Sequence, residues 1–120
     1  MTQSDLSKRT PEETFGHHAQ TLMAEDLDGI LADYTDTSYL VSPSGVLRGK
    51  NAIRRFFADL LTALPQAKWD VKTTYVEDIL FLEWTADSKA ASVSDGVDTF
   101  IFKDGMIHIQ TVRATIVPKR

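Results

Sequence analysis

A proline at position 65 separates two hydrophobic rhythms, and that division constrains the fold more than any other feature of the chain. Before it, apolar residues recur every three or four positions, as on one face of a helix; after it they alternate, as on a strand. Phe15, Ala19, Leu22 and Met23 form one helical face, and Leu27, Ile30, Leu31 and Tyr34 a second. Ile53, Phe56, Phe57, Leu60, Leu61 and Leu64 form a third, broader stripe that Pro65 stops. The first helix opens on Thr10-Pro11-Glu12-Glu13: a hydroxyl cap, a proline where its missing N–H costs nothing, and a glutamate three positions after the cap. Among these helices only Ser38 to Val41 reads as a strand, followed by a turn at Ser42-Pro43-Ser44-Gly45.

Beyond Pro65 everything is strand-like. Trp69, Val71, Thr73 and Tyr75 alternate with more polar residues, and Leu80 to Thr85 is β-rich before a break at Asp87-Ser88-Lys89. Val93 to Lys103 and Met106 to Val117 are two strands joined at Lys103-Asp104-Gly105, a hairpin signal. Helices first and strands after predict an α+β fold, with three N-terminal helices packed on one face of a strongly curved antiparallel sheet.

At 120 residues the chain is long enough for one core and too short for two, so residues 10–120 read as a single domain. The polar stretch over residues 1–9 reads as a flexible N-terminal arm. Without cysteine there are no disulfides, thiolate nucleophiles or cysteine-held metals. Thirteen basic residues against seventeen acidic ones form no basic stripe, and Arg54-Arg55 is an isolated pair, which argues against a nucleic-acid partner. Apolar runs are too short to span a membrane, so the chain reads as cytoplasmic and stabilised by packing alone. No glycine-rich phosphate loop and no histidine pair at metal-ligand spacing is present, and neither a cofactor nor a metal is expected.

The last two strands lack a clean polar face. Asp98, Phe100 and Phe102 share one side, and Val97, Thr99 and Ile101 the other; Gln110, Val112, Ala114 and Ile116 alternate with Ile109, Thr111, Arg113 and Thr115. A sheet apolar on both sides usually has both covered, and helices cover only one. The expectation is a homodimer through the outer sheet face; the alternative is a scatter of exposed apolar side chains, which is common.

Asp98 is the sharpest single feature. Beside two inward-facing phenylalanines it points into a pocket and meets a ligand there, or else it caps a neighbouring strand. His18, at the edge of the first helix's apolar face, is its candidate partner and proton shuttle, or else a half-buried residue bonded to a backbone carbonyl. His17 lies nearly opposite and reads as surface, as does His108 near the hairpin; Asp33 and Asp36 read as solvated residues at a helix end. Tyr34, placed at the end of the second helix, donates its hydroxyl to the pocket or to water. Gln110 supplies an amide contact, and Phe57, Trp84, Phe100 and Val112 supply wall. Ser42, His18 and Asp98 compose a serine triad by residue type, but no oxyanion-hole motif accompanies them.

Several fragments occur in a telling order: Asp26-Leu27-Asp28-Gly29-Ile30, the turn Ser42-Pro43-Ser44-Gly45, the helix opening from Arg48 to Phe57, and Asp98-Thr99-Phe100-Ile101-Phe102-Lys103-Asp104-Gly105-Met106-Ile107. Together they resemble the nuclear-transport-factor-2-like (NTF2-like) superfamily, in particular its SnoaL-like and ketosteroid-isomerase-like branch, over Thr10 to Val117. The resemblance implies a cystatin-like cone of helices closed against a bent sheet, often dimeric. It also implies three roles for an isomerase: a tyrosine on the first helix, a neutral acid on a late strand, and a base before the turn proline. Those positions hold His18, Asp98 and Ser42. A serine hydroxyl is no proton base near neutral pH, so standard ketosteroid isomerisation is not expected. What remains is an acid–base enzyme of isomerase, hydrolase or dehydratase type on a small apolar organic molecule, or a non-catalytic small-molecule-binding homodimer.

Overall fold

Thr10 caps the first helix as its sequence requires, accepting from the Glu13 N–H at 3.1 Å while its own N–H donates to Glu13 Oε1 at 2.8 Å. In the computed structural model, which describes residues 6–120, this helix, α1, spans Pro11–Met23. Asp26 caps a short α2, Leu27–Leu31, and α3 spans Lys50–Ala63, just before Pro65. The strands are β1 (Tyr34–Ser42), β2 (Gly45–Arg48), β3 (Lys68–Val76), β4 (Ile79–Asp87), β5 (Ala91–Lys103), β6 (Met106–Arg113) and the two-residue β7 (Val117–Pro118). They form one sheet in the order β2-β1-β6-β5-β4-β3, with β7 on β5. None of the described helices is long and apolar enough to cross a membrane.

Two corrections to the sequence reading concern β1. The sheet is mixed rather than wholly antiparallel, because β1 runs parallel to β6 while every other pairing is antiparallel. Tyr34 does not end the second helix; it begins β1. Its spacing from Ile30 and Leu31 imitates a helical face, but the Ile107 N–H donates to the Asp33 carbonyl at 2.8 Å and draws the chain into the sheet.

The helices cover the inner face. Ile53 and Phe57 of α3, with Leu64 just after it, are buried in one core with Leu40, Leu80 and Phe100 of the sheet. β4 shows the division cleanly: Leu80, Leu82, Trp84 and Ala86 are buried, and Ile79, Phe81, Glu83 and Thr85 are exposed. On the outer face the registers align Tyr39, Ile109, Ile101, Ile79 and Val76 in one row across five strands. No described element of the chain covers that row.

Of the arm read over residues 1–9, residues 1–5 lie outside the described residues. Arg9 is tied down: Nη1 donates to Asp33 Oδ1 at 2.9 Å and Nη2 to the Gly105 carbonyl at 2.7 Å. Asp33 is fully buried rather than solvated, and it also accepts from His17 Nδ1 at 2.8 Å. His17 is therefore half-buried in this clasp, not a surface residue, its side chain 40% exposed. The reason is where α2 hands over to β1: Asp33 falls beneath both α1 and the N-terminal segment.

Candidate functional site

The site is built on three adjacent strands. Antiparallel pairing sets Trp84 of β4 opposite Gly96 of β5, and sets Val112 and Gln110 of β6 opposite Asp98 and Phe100. Trp84 and Gln110 thereby become diagonal neighbours of Asp98 on the inner face, within reach of long side chains. Gly96 makes the first contact possible: a Cβ there would lie 2.3 Å from Trp84 Cδ2 and Cε2, so the indole crosses the strand over a missing side chain. Its Nε1–H donates to Asp98 Oδ1 at 2.9 Å. Gln110 Nε2 donates to Oδ2 at 3.0 Å, and the Tyr34 hydroxyl donates to Gln110 Oε1. A relay of donors thus ends on one carboxyl group.

Asp98 is only 5% exposed, and burial pushes its carboxyl up to about 6, the Trp84 and Gln110 hydrogen bonds holding it back from going higher. Burial likewise raises the Tyr34 phenol well above its ordinary value, with Asp98 and Asp33 adding to the effect, so it stays a neutral donor. His18 is 3% exposed and its imidazole is lowered to about 4, first by burial and then by the neighbouring His17. At neutral pH the pocket therefore holds a neutral imidazole and a largely ionised carboxylate, with a neutral phenol behind Gln110.

His18 does not pair with Asp98 by any hydrogen bond among the described residues. Both Asp98 oxygens are engaged by β4 and β6, while the His18 ring is held by aromatic edges, its centroid 5.5 Å from Phe100, 5.6 Å from Phe57 and 6.0 Å from Tyr34. Its Nδ1 is buried and makes no hydrogen bond among the described residues.

These groups line a cavity of about 100 Å³ walled chiefly by aromatic rings. Asp98, His18, Phe57, Trp84, Phe100, Gln110 and Val112 all line it. Tyr34 does not; it stands behind Gln110 and acts through it. Ser42 lies outside the cavity, its Oγ accepting from the Ser44 N–H at 3.2 Å, so no Ser42–His18–Asp98 triad exists. His108 is half-buried against Tyr39 on the opposite side of the sheet, centroids 6.5 Å apart, rather than exposed.

Helix α1 also turns out differently. Its buried residues are Thr14, Phe15, His18 and Thr21, while Ala19 and Leu22 pack half-buried against the core and, with exposed Met23, line the cavity and its rim. Met23 and Val71, 58% and 51% exposed, mark one opening. Reading the sequence missed Trp84 as a donor to Asp98; the signal was the lone Gly96 inside an otherwise full strand. Among the described residues no three His, Asp or Glu side chains gather as metal ligands would.

Comparison with known proteins agrees with this architecture. A SnoaL-like domain model matches residues 16–108. No curated protein matches the sequence. Among solved structures, the chain is similar to a SnoaL-like protein of unknown function from Burkholderia thailandensis, at 21% identity, 88% of this chain and 93% of that one, and a TM-score of 0.70. It is also similar to AclR, a candidate hydroxylase from Streptomyces galilaeus, at 15% identity, 88% of each chain and a TM-score of 0.74. IdmH, a candidate polyketide cyclase from Streptomyces antibioticus, matches at 11% identity, 88% of this chain and 92% of that one, also with a TM-score of 0.74. At these identities the likeness establishes the fold.

Proposed function

The chain belongs to the SnoaL-like domain family, and we propose that within it this protein is an acid–base enzyme acting on a small, largely apolar organic molecule. One observation carries the reading: a single carboxyl, Asp98, is buried in an aromatic pocket with its proton affinity brought close to neutrality. A general base works best when its pKa lies near the working pH, and few buried side chains meet that condition. The description of one structural neighbour as a candidate polyketide cyclase agrees with an enzyme of this fold.

The chemistry follows from the protonation states. Ionised Asp98 takes a proton from a carbon next to a carbonyl, and the electron pair moves onto the carbonyl oxygen as an enolate. Neutral His18, with an unengaged ring nitrogen, donates a hydrogen bond to that oxygen. Neutral acid and base then return the proton to the same or another carbon. Trp84 and Gln110 hold the carboxylate in place and moderate its basicity, while the apolar walls exclude water. The protein works as a homodimer through the outer row of Tyr39, Ile109, Ile101, Ile79 and Val76, whose continuity supports a two-fold interface.

The test uses cyclohexanone in deuterated buffer, following loss of its α-proton NMR signal. Wild-type protein accelerates exchange, with a rate rising through pH 6, and Asp98→Asn lowers it by about 10²-fold or more. Equal exchange by both proteins refutes the acid–base reading. A non-catalytic binding protein is then the alternative, favoured by the engagement of both Asp98 oxygens within the fold.

A further inference from the structure

We infer that the ligand is an elongated, uncharged molecule whose apolar head sits beside Asp98 and whose hydroxylated tail lies in a groove between α3, the β1–β2 turn and the end of β6. This rests on the reading of the inner cavity as the ligand site and names the class of molecule it takes.

Size is the first argument. The cavity beside Asp98, at about 100 Å³, is smaller than the roughly 150 Å³ cavity known to hold a benzene ring. A ring with any substituent must therefore project from it. Continuity is the second. A groove of about 430 Å³ shares Phe56, Leu60, Trp84 and Val112 with the cavity. Trp84 is the donor to Asp98, and Val112 is the residue paired with Asp98 across the strands. Trp84 and Val112 thus stand between the carboxyl and the groove. A further hollow of about 520 Å³ continues along the same wall, sharing Ser42, Ser44, Phe56 and Asp59 with the groove.

Chemistry is the third argument. The way out past Met23 and Val71 is apolar, with Leu22 and Trp69 beside it. The groove adds Ser42 and Ser44 to a mainly apolar lining that includes Ala63 and Ile116, with Asn51, Arg55 and Asp59 along its wall and into the hollow beyond. These last three stand four residues apart on α3 and share one face. Arg55 and Asp59 carry opposite charges, so the wall offers no net attraction to a phosphate, a carboxylate or an ammonium group. Its hydroxyl and amide groups suit ether, hydroxyl or glycosidic oxygens.

Three probes test this by protein-observed NMR titration: benzyl alcohol, a benzyl oligo(ethylene glycol) ether, and 4-benzyloxybutyrate. The neutral-tailed ether binds at least tenfold more tightly than benzyl alcohol, and the anionic tail brings no such gain. Ser42→Trp fills the groove and removes the gain while leaving benzyl alcohol unchanged; Asp59→Trp, on the exposed side of α3, does the same without touching the turn. Met23→Trp at the other opening leaves the gain intact. The inference is overturned by an ether that binds no better than benzyl alcohol, by an equal gain for the anion, by a gain that only Met23→Trp removes, or by failure of all three probes to bind. Because binding is read without turnover, loss of cyclohexanone exchange in the same protein sinks the acid–base reading and leaves this result standing.

Discussion

Asp98→Asn changes how stability depends on pH, because two buried groups now oppose each other. Asp98 is raised from 3.8 to about 6 in the fold. The stability tied to its proton is fully present below its unfolded value and is lost as pH climbs through 6. A shift of about two units, at about 1.4 kcal/mol each, makes this a loss of about 3 kcal/mol between pH 4 and pH 6. His18 is lowered from 6.5 to about 4, which has the opposite sign. Its contribution is fully present above pH 6.5 and is lost as pH falls towards 4, again about 3 kcal/mol. At pH 5 folding takes up one proton at Asp98 and releases one at His18. Their slopes cancel, and the wild-type difference between pH 4 and pH 6.5 from this pair is within about 1 kcal/mol. Replacing Asp98 by asparagine removes one slope only, so the variant gains about 3 kcal/mol relative to wild type across that interval. His18→Leu does the reverse and loses stability as pH rises from 4 to 6. Urea unfolding at half-unit pH steps measures both differences. A variant curve that stays parallel to wild type refutes the opposition of these two groups.

Gly96→Ala pushes a methyl group into the Trp84 indole, which must move by about 1 Å to restore ordinary contact; overpacking costs about 1–3 kcal/mol. With the Trp84–Asp98 hydrogen bond broken, the Asp98 carboxyl titrates above 6 in a carbon-13 NMR titration, and Trp84→Phe gives the same upward shift. Arg9→Ala leaves buried Asp33 with His17 as its remaining side-chain partner and lowers unfolding free energy by about 3 kcal/mol in urea. Ile101→Lys in the middle of the outer row yields a monomer by sedimentation equilibrium with near wild-type stability; a dimer that persists refutes that interface.

Much of the frame was legible because it rests on local rules. The Thr10 capping box, the stop at Pro65 and the Lys103-Asp104-Gly105 turn, where Asp104 and Gly105 both take positive φ, depend on neighbours in sequence. Asp98 was legible because strand alternation put it with Phe100 and Phe102, and all three are buried. The partners of Asp98 were not, since cross-strand register decides which diagonals meet. Tyr34 was misplaced because its spacing fits a helix and only pairing to Ile107 makes it a strand. The Arg9–Asp33–His17 clasp joins residues up to 24 positions apart, which no periodicity encodes. The apolar face of α1 was read correctly as apolar, but periodicity does not distinguish a side chain packed in a core from one facing a cavity.

The parallel pairing of β1 with β6 carries a consequence for the order of assembly. Tyr34 and Gln110 lie 76 positions apart, and bringing such ends together costs on the order of 4 kcal/mol in chain entropy before any contact offsets it. The helices, the β1–β2 hairpin and the β3–β4 hairpin close over short loops, but Gln110 and the hydroxyl relay behind it arrive only with that long closure. Until β6 is in place, Asp98 has lost the donor at Oδ2 and the cavity lacks part of its wall. During synthesis β6 emerges after the helices and after β1 to β5, so the helices can form well before the cavity has this part of its wall. The cavity is then closed in the same step that pairs β6 with β1.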